Sequence, residues 1–83
     1  MVAAYILIQC EAGTVGQVVK GLKDIDGVPS AVAVTGPYDV IAQAEDDSLD
    51  GLGVLVVSRI QVISGITRTL TCPVLHLRAP EPA

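Results

Sequence analysis

Apolar residues fall along the chain in segments whose spacing is alternately typical of strands and of helices. The segment Val2 to Cys10 is continuous and rich in branched side chains, which predicts a buried strand. After a break at Gly13, apolar residues recur at helical spacing and predict a helix with Thr14 as its N-cap and Gly27 at its end. The residues of this apolar stripe are Val15, Val18, Val19, Leu22 and Ile25.

The second half of the chain repeats this alternation. Ala31 to Thr35 predicts a second strand, and Gly36-Pro37 signals a turn into a third strand from Tyr38 to Glu45. The acidic and hydroxyl side chains of Asp46-Asp47-Ser48 suit the positive end of a helix dipole. A second helix is therefore predicted from Leu49 to Gln61.

The last predicted element is a fourth strand, from Ile66 to about Leu77, which follows Gly65. The proline-rich residues 79–83 cannot continue a strand. We therefore expect residues 1–78 to form a single domain, followed by a disordered C-terminal tail.

The two halves of the chain are related by an approximate internal repeat. Residues of the first half recur 38 positions later, as with Leu22 and Ile60, or Gly27 and Gly65. Two β-α-β units with right-handed crossovers interlock into one four-stranded antiparallel sheet. This predicts an α+β fold of the ferredoxin-like βαββαβ type, with strand order 4-1-3-2 and both helices on one face. A helix-rich fold would require the β-branched runs to be misassigned.

The chain is more apolar than one small core needs. Of its 83 residues, 51% are hydrophobic and only Tyr5 and Tyr38 are aromatic, and the mean hydropathy is +0.59. Both faces of the first strand are apolar, whereas a sheet with one face in water should alternate apolar and polar residues. The second helix also carries Val54 and Val57 outside its inward stripe. The excess predicts a dimer formed through the open sheet faces, with further apolar surface left for a higher assembly.

Charge and targeting signals argue against several classes of function. The net charge is −4 and the five basic residues are scattered, so the clustered basic face of a direct nucleic-acid binder is missing. No apolar run reaches the ~18 residues of a membrane span, and the N-terminus has no signal-peptide pattern. Cys10 and Cys72 form no CxxC motif. We expect a cytoplasmic, reducing location without membrane contact.

Two segments carry a family resemblance. The hairpin VTGPYDVI at 34–41 and the segment ISGITRT at 63–69, in the β-α-β-β-α-β order, resemble the effector-binding (RAM) domain of the Lrp/AsnC regulators. The resemblance covers about Val2 to Leu77, and a first strand that begins at residue 2 leaves no place before it for the family's helix-turn-helix. The chain thus resembles a stand-alone form of the module.

The resemblance has implications for assembly and ligand. It implies sheet-to-sheet dimers that assemble further, often into octameric rings, with small effectors, usually amino acids, bound between dimers. Since the sheet interface would be shared, co-assembly with full-length Lrp/AsnC regulators is a further hypothesis.

The turn of the hairpin is the candidate ligand-binding loop. The resemblance places ligand contacts at Thr35, Gly36, Tyr38 and Asp39, while Pro37 stands where the family often has another residue. Gly36 permits a close backbone approach, and the Asp39 carboxylate can accept from an ammonium group. Tyr38 adds a ring and a hydroxyl, and Pro37 removes one backbone donor. The alternative is a tight hairpin with a surface carboxylate and no ligand.

Further candidates lie in the second half of the chain. Thr67, Thr69 and Thr71 alternate along the fourth strand, either as ligand contacts from a neighbouring dimer or as β-formers on an exposed face. Gln61 either lines the same pocket or is a solvated helix end. The predicted site contains Gln61, Thr69 and Thr71 together with residues 35–39.

Other chemistry-bearing residues are assigned structural roles. Because the first and fourth strands run antiparallel, Cys10 and Cys72 should lie several residues apart, beyond disulfide reach, and we interpret both as core thiols rather than metal ligands. His76 has no neighbouring Cys or His for a metal or general-base role. Asp46-Asp47 is explained by helix capping. No metal or cofactor is expected.

Together these features favour a non-catalytic effector-binding and oligomerisation module. A small ferredoxin-like enzyme of the dimeric α/β-barrel type is one alternative, although a single histidine and two tyrosines equip the chain poorly for catalysis. A purely structural assembly domain is the other.

Overall fold

The sheet of the computed structural model, which describes residues 1–76, has four antiparallel strands in the order β2-β3-β1-β4. This confirms the predicted ferredoxin-like arrangement and strand order. The helical segment that follows β3 begins as an α-helix and continues as a π-helix. The elements are β1 (Val2–Cys10), α1 (Val15–Lys23), β2 (Ser30–Ala33), β3 (Val40–Asp46), α2 (Leu49–Leu55) with its π-helical continuation (Val56–Ile60), and β4 (Ile66–Pro73).

The core lies between the two helices and one face of the sheet. Ile6 and Ile8 of β1 are fully buried, whereas Tyr5, which precedes Ile6 and lies on the opposite face, is 47% exposed. The alternation of a strand therefore divides β1 between a covered and an open face, as predicted. Both helices cover the same face, because their buried residues join those of the strands in one cluster. The helical members of that cluster are Val18, Leu22, Leu52, Val56 and Ile60.

Several strand boundaries differ from the prediction. β2 ends at Ala33 and β3 begins at Val40, so the hairpin connection is longer than Gly36-Pro37 alone. β4 ends at Pro73, which has no N–H to donate to a sheet. The predicted strand end at Leu77 and the predicted tail at 79–83 lie outside the described residues.

The internal repeat is visible in the backbone at Gly27 and Gly65. Their φ values are +97° and +101°, in the region that favours glycine. Each carbonyl accepts a hydrogen bond of 2.8 Å from the N–H of a glutamate: Glu45, near the end of β3, for Gly27, and Glu11, directly after β1, for Gly65. Both helices thus enter an edge strand through the same turn, and α1 ends at Lys23 rather than at Gly27.

The two helix starts differ. Ser48 caps α2, because its hydroxyl accepts from the N–H of Gly51 at 2.9 Å, and Asp46 Oδ2 accepts from the N–H of Ser48 at 3.2 Å. The capping prediction for this acidic segment is confirmed. Thr14 stands at the N-cap position of α1, but its hydroxyl donates to the carbonyl of Glu11 at 2.7 Å and does not cap the helix.

The second helix changes its winding part-way. The predicted span from Leu49 to Gln61 is α-helical only to Leu55 and π-helical from Val56 to Ile60. The hydroxyl of Ser58 donates to the carbonyl of Val54 at 2.6 Å, a side-chain bond that competes with the ordinary helical ladder. The π-helical turn places Gln61 at its end, beside β4.

Candidate functional site

Hydrogen bonds tie the candidate loop, residues 35–39, to the end of β1. The N–H of Asp39 donates to the carbonyl of Ile8 at 2.9 Å, and the side-chain amide of Gln9 donates to the carbonyl of Pro37 at 3.0 Å. The Asp39 carboxylate accepts from the N–H of Cys10 at 2.8 Å. The loop is therefore held where the β1–β4 register shifts between Gln9 and Cys10.

Asp39 has a structural role that the sequence did not reveal. The β1–β3 ladder ends at the pair Ile8–Val40, so Cys10 lies beyond it, and the half-buried Asp39 carboxylate supplies an acceptor for its N–H. That bond uses Oδ2. A carboxylate has two oxygens and about four lone-pair positions, so Asp39 retains capacity to accept from a ligand.

The loop presents an open side at Gly36. Its φ is +135°, and no heavy atom lies within 4 Å of the place where a β-carbon would be. Thr35 and Pro37 are exposed, and Tyr38 is half-buried. A ligand or a second protein molecule can therefore approach the backbone at Gly36 directly.

A second polar cluster lies at the β4 edge of the sheet. The side-chain amide of Gln61 donates to the hydroxyl of Thr69 at 2.9 Å. This pair borders an open groove of about 330 Å³, whose lining residues are Gln61, Ile66, Thr67, Arg68 and Thr69. The groove places the hydroxyl of Thr69 and the amide of Gln61 together, and Arg68 is part of its lining.

The predicted site residues form two groups rather than one pocket within a protomer. Residues 35–39 bond to β1 from the β3 side, whereas the groove lies on the β4 side of β1. Thr69 and Thr71 stand opposite Ile8 and Ile6, so both belong to the helix-covered face of β4. Thr67, Thr69 and Thr71 were predicted to share one face, and the ladder confirms this for Thr69 and Thr71.

Two residues of these groups were not recognised as site candidates from the sequence. Gln9 holds the loop through Pro37, and Arg68, its neighbour across the β1–β4 ladder, lines the groove. Each carried a signal: Gln9 is the polar residue in an otherwise apolar strand, and Arg68 is a cation between Thr67 and Thr69.

The cysteines occupy opposite faces of the sheet. Cys10 packs against the core, and burial, followed by the nearby Asp39 carboxylate, raises the pKa of its thiol. Cys72 pairs with Tyr5 on the open face, so its assignment as a core thiol was wrong. The two thiols are unpaired, as predicted. Within the described residues, no group of three His, Cys, Asp or Glu is placed to hold a metal.

A comparison with protein families gives a match over nearly the whole chain. The model of the Lrp/AsnC ligand binding domain matches residues 3–82 of the 83. The chain belongs to the Lrp/AsnC family. A comparison with curated protein sequences gave no match.

Solved Lrp/AsnC-like structures share this fold. A hypothetical protein from Pyrococcus horikoshii is 31% identical, with a TM-score of 0.85 and 93% of each chain covered. AsnC from E. coli is 26% identical with a TM-score of 0.85, and 99% of this chain covers 56% of that chain. A transcriptional regulator from Neisseria meningitidis, solved in complex with L-Met, shares the fold at 19% identity with a TM-score of 0.80, over 90% of this chain and 50% of that chain.

The family and the fold agree on a regulatory domain. Members of this family model are ligand-binding domains of transcriptional regulators. The chain corresponds to nearly all of the small Pyrococcus protein but to about half of the two regulators. Among residues 1–76, no helix has the length and apolarity needed to cross a membrane.

Proposed function

We propose that this Lrp/AsnC domain is a non-catalytic module that binds an amino acid or a similar small metabolite between dimers. In the cytoplasm it would modulate full-length Lrp/AsnC regulators by assembling with them. Its self-assembly would start from a sheet-to-sheet dimer and continue to a ring of dimers such as an octamer.

The open face of the sheet supports the dimer. One apolar row crosses all four strands, because the ladder pairs Val32 with Ile41, Ile41 with Leu7, and Leu7 with Leu70. Val32 is 54% exposed and Leu70 is 44% exposed. Such a row on an uncovered sheet face favours packing against the same face of a second copy.

The observation that carries the ligand proposal is the groove beside β4. A guanidinium such as that of Arg68 pairs with a carboxylate in a two-pronged geometry, and the hydroxyl and amide of the Thr69–Gln61 pair add polar partners. These groups suit the carboxylate end of an amino acid.

The loop at 35–39 supplies the complementary chemistry. Asp39 can accept from the ammonium group of the same ligand, and Gly36 allows a close approach. Because the loop and the groove lie on opposite sides of β1 in one protomer, a ligand that uses both would need the loop of another copy. This separation supports binding between dimers.

Thermal-shift measurements with each of the twenty amino acids test the proposal. Binding to the folded state alone raises stability, by about 2.7 kcal/mol when the ligand stands at 100 times its Kd. We expect at least one amino acid to raise the melting temperature, and Arg68→Ala to abolish the rise. Lys23→Ala is the matched control, because Lys23 is an exposed cation on α1 outside the groove.

Two results would contradict the proposal. One is the absence of any shift at millimolar concentration for all twenty amino acids. The other is an equal loss of the shift in Arg68→Ala and Lys23→Ala, which would show that the groove does not hold the ligand.

A structural assembly domain is the second candidate, and the Asp39–Cys10 hydrogen bond favours it. This bond makes Asp39→Ala an ambiguous test, because it removes a structural acceptor together with the charge. Asp39→Asn is sharper, since the amide oxygen can still accept from Cys10 while the ammonium partner is lost. Loss of the ligand shift with retained folding supports the effector site, whereas an unchanged shift excludes Asp39 from it.

A further inference from the structure

The solvent side of the second helix carries an apolar surface that the proposed sheet dimer does not use. Val54 is 65% exposed and Val57 is 62% exposed. Together with Asp50, Gly53 and Ser58 they line one shallow groove of about 510 Å³. We call the surface of these five residues, extended at its ends by Leu49 and Val62, the outer helix surface.

The outer helix surface is flanked by further exposed apolar side chains and is flat at its centre. Leu49 is 60% exposed and Val62 is 70% exposed. No heavy atom lies within 4 Å of the place where a β-carbon of Gly53 would be. A second helix can therefore pack closely against this stretch, with the two helix axes about 8–10 Å apart, as in other packed helices.

The surface is complementary to itself in an antiparallel arrangement. A two-fold axis midway between Val54 and Val57 places Val54 of one copy opposite Val57 of the other, and the reverse. The same operation places Gly53 opposite Ser58, small against small. A two-fold contact of this kind uses the same patch on both molecules and closes on itself.

Charge selects the antiparallel direction. Within residues 49–62, Asp50 is the only acid and Arg59 the only base, and they lie at opposite ends. An antiparallel pair brings Asp50 of one copy toward the end that carries Arg59 of the other, whereas a parallel pair brings like charges together.

We propose that the outer helix surface docks on the same surface of a second copy, with the two helices antiparallel. The inference rests on the proposed function, because sheet-face dimers are the units that it joins. The few side chains of one helix surface cover less than the roughly 800 Å² per partner of a stable interface. The helix contact would thus link dimers that already exist, and it would be the weaker contact of the two.

Sedimentation velocity at micromolar concentration tests this arrangement with three variants. We expect the wild-type chain to exceed the mass of a dimer and Val57→Asp to stop at the dimer. Gln17→Asp places the same charge on the exposed side of α1 and should keep the wild-type mass. Leu70→Asp, on the open sheet face, should remove the dimer itself. Thermal unfolding confirms that each variant is folded.

The outcomes separate this inference from the proposed function. A Val57→Asp protein with the wild-type mass, or a wild-type chain that is only a dimer, would overturn the helix contact and leave the sheet dimer standing. A Leu70→Asp protein that still dimerises would instead overturn the sheet dimer.

Charge reversal tests the direction of the helices. Asp50→Arg and Arg59→Asp should each lower the population above the dimer, and the double variant should restore it. A double variant that assembles no better than either single variant would overturn the antiparallel arrangement.

Discussion

Replacing Asp39 by alanine tests how the candidate loop is anchored. The substitution removes the carboxylate that accepts from the N–H of Cys10 at 2.8 Å. A hydrogen bond to a charged group contributes about 1.5–3 kcal/mol to stability. Because this site is only half-buried, water can replace part of the bond, and we expect a loss of about 1–2 kcal/mol. For a domain of this size the melting temperature should fall by about 6–12 °C.

Thermal unfolding followed by far-ultraviolet circular dichroism, without amino acids and at one protein concentration, measures this loss. Asp39→Asn keeps an oxygen acceptor for Cys10 and should lose less than half as much. Asp26→Ala removes an exposed loop carboxylate and serves as the control. If Asp39→Ala melts within 2 °C or so of the control, the bond contributes too little to anchor the loop.

Two further predictions concern glycine and thiol positions. Gly65→Ala should lower the free energy of unfolding by about 1–3 kcal/mol, because φ is +101° and the new β-carbon would lie 2.8 Å from Thr14. Gly16→Ala, in open space within α1, should instead raise the free energy of unfolding by up to about 1 kcal/mol. Urea unfolding measures both changes, and equal effects of the two substitutions would contradict this prediction. Burial, and then Asp39, raise the pKa of Cys10, so above the ordinary thiol pKa of about 8.5 the unfolded chain binds fewer protons than the folded one. The free energy of unfolding should therefore fall as the pH rises from 8 to 10, and Cys10→Ala should reduce that slope; an identical slope in both proteins would refute the assignment.

The elements and the core follow from local patterns. The alternation in β1 correctly placed Ile6 and Ile8 on one face and Tyr5 on the other. Neighbouring side chains of a strand point to opposite faces of the sheet, whichever strands it pairs with. The repeat at 38 positions pairs Gly27 with Gly65, and their φ values match because both must turn a helix into an edge strand. The π-helical segment was not predictable from periodicity, because it depends on packing and on the bond from Ser58 to Val54.

The site was only partly accessible from the sequence. The resemblance identified Thr35, Gly36, Tyr38 and Asp39 as candidates, and the residue pattern of the second half added Gln61, Thr69 and Thr71. Their division into a loop and a groove on opposite sides of β1 depends on strand order, which places residues distant in sequence side by side.

The chemistry-bearing contacts come from pairings across long stretches of chain. Asp39 meets the N–H of Cys10 across 29 positions, and Gln9 meets Arg68 through the β1–β4 register. Residue types and their periodicity establish what a strand or helix buries, because those depend on neighbours along the chain. Which donor meets which acceptor depends on register and on a shift of one residue at Gln9 and Cys10, and these exist only once the sheet has formed.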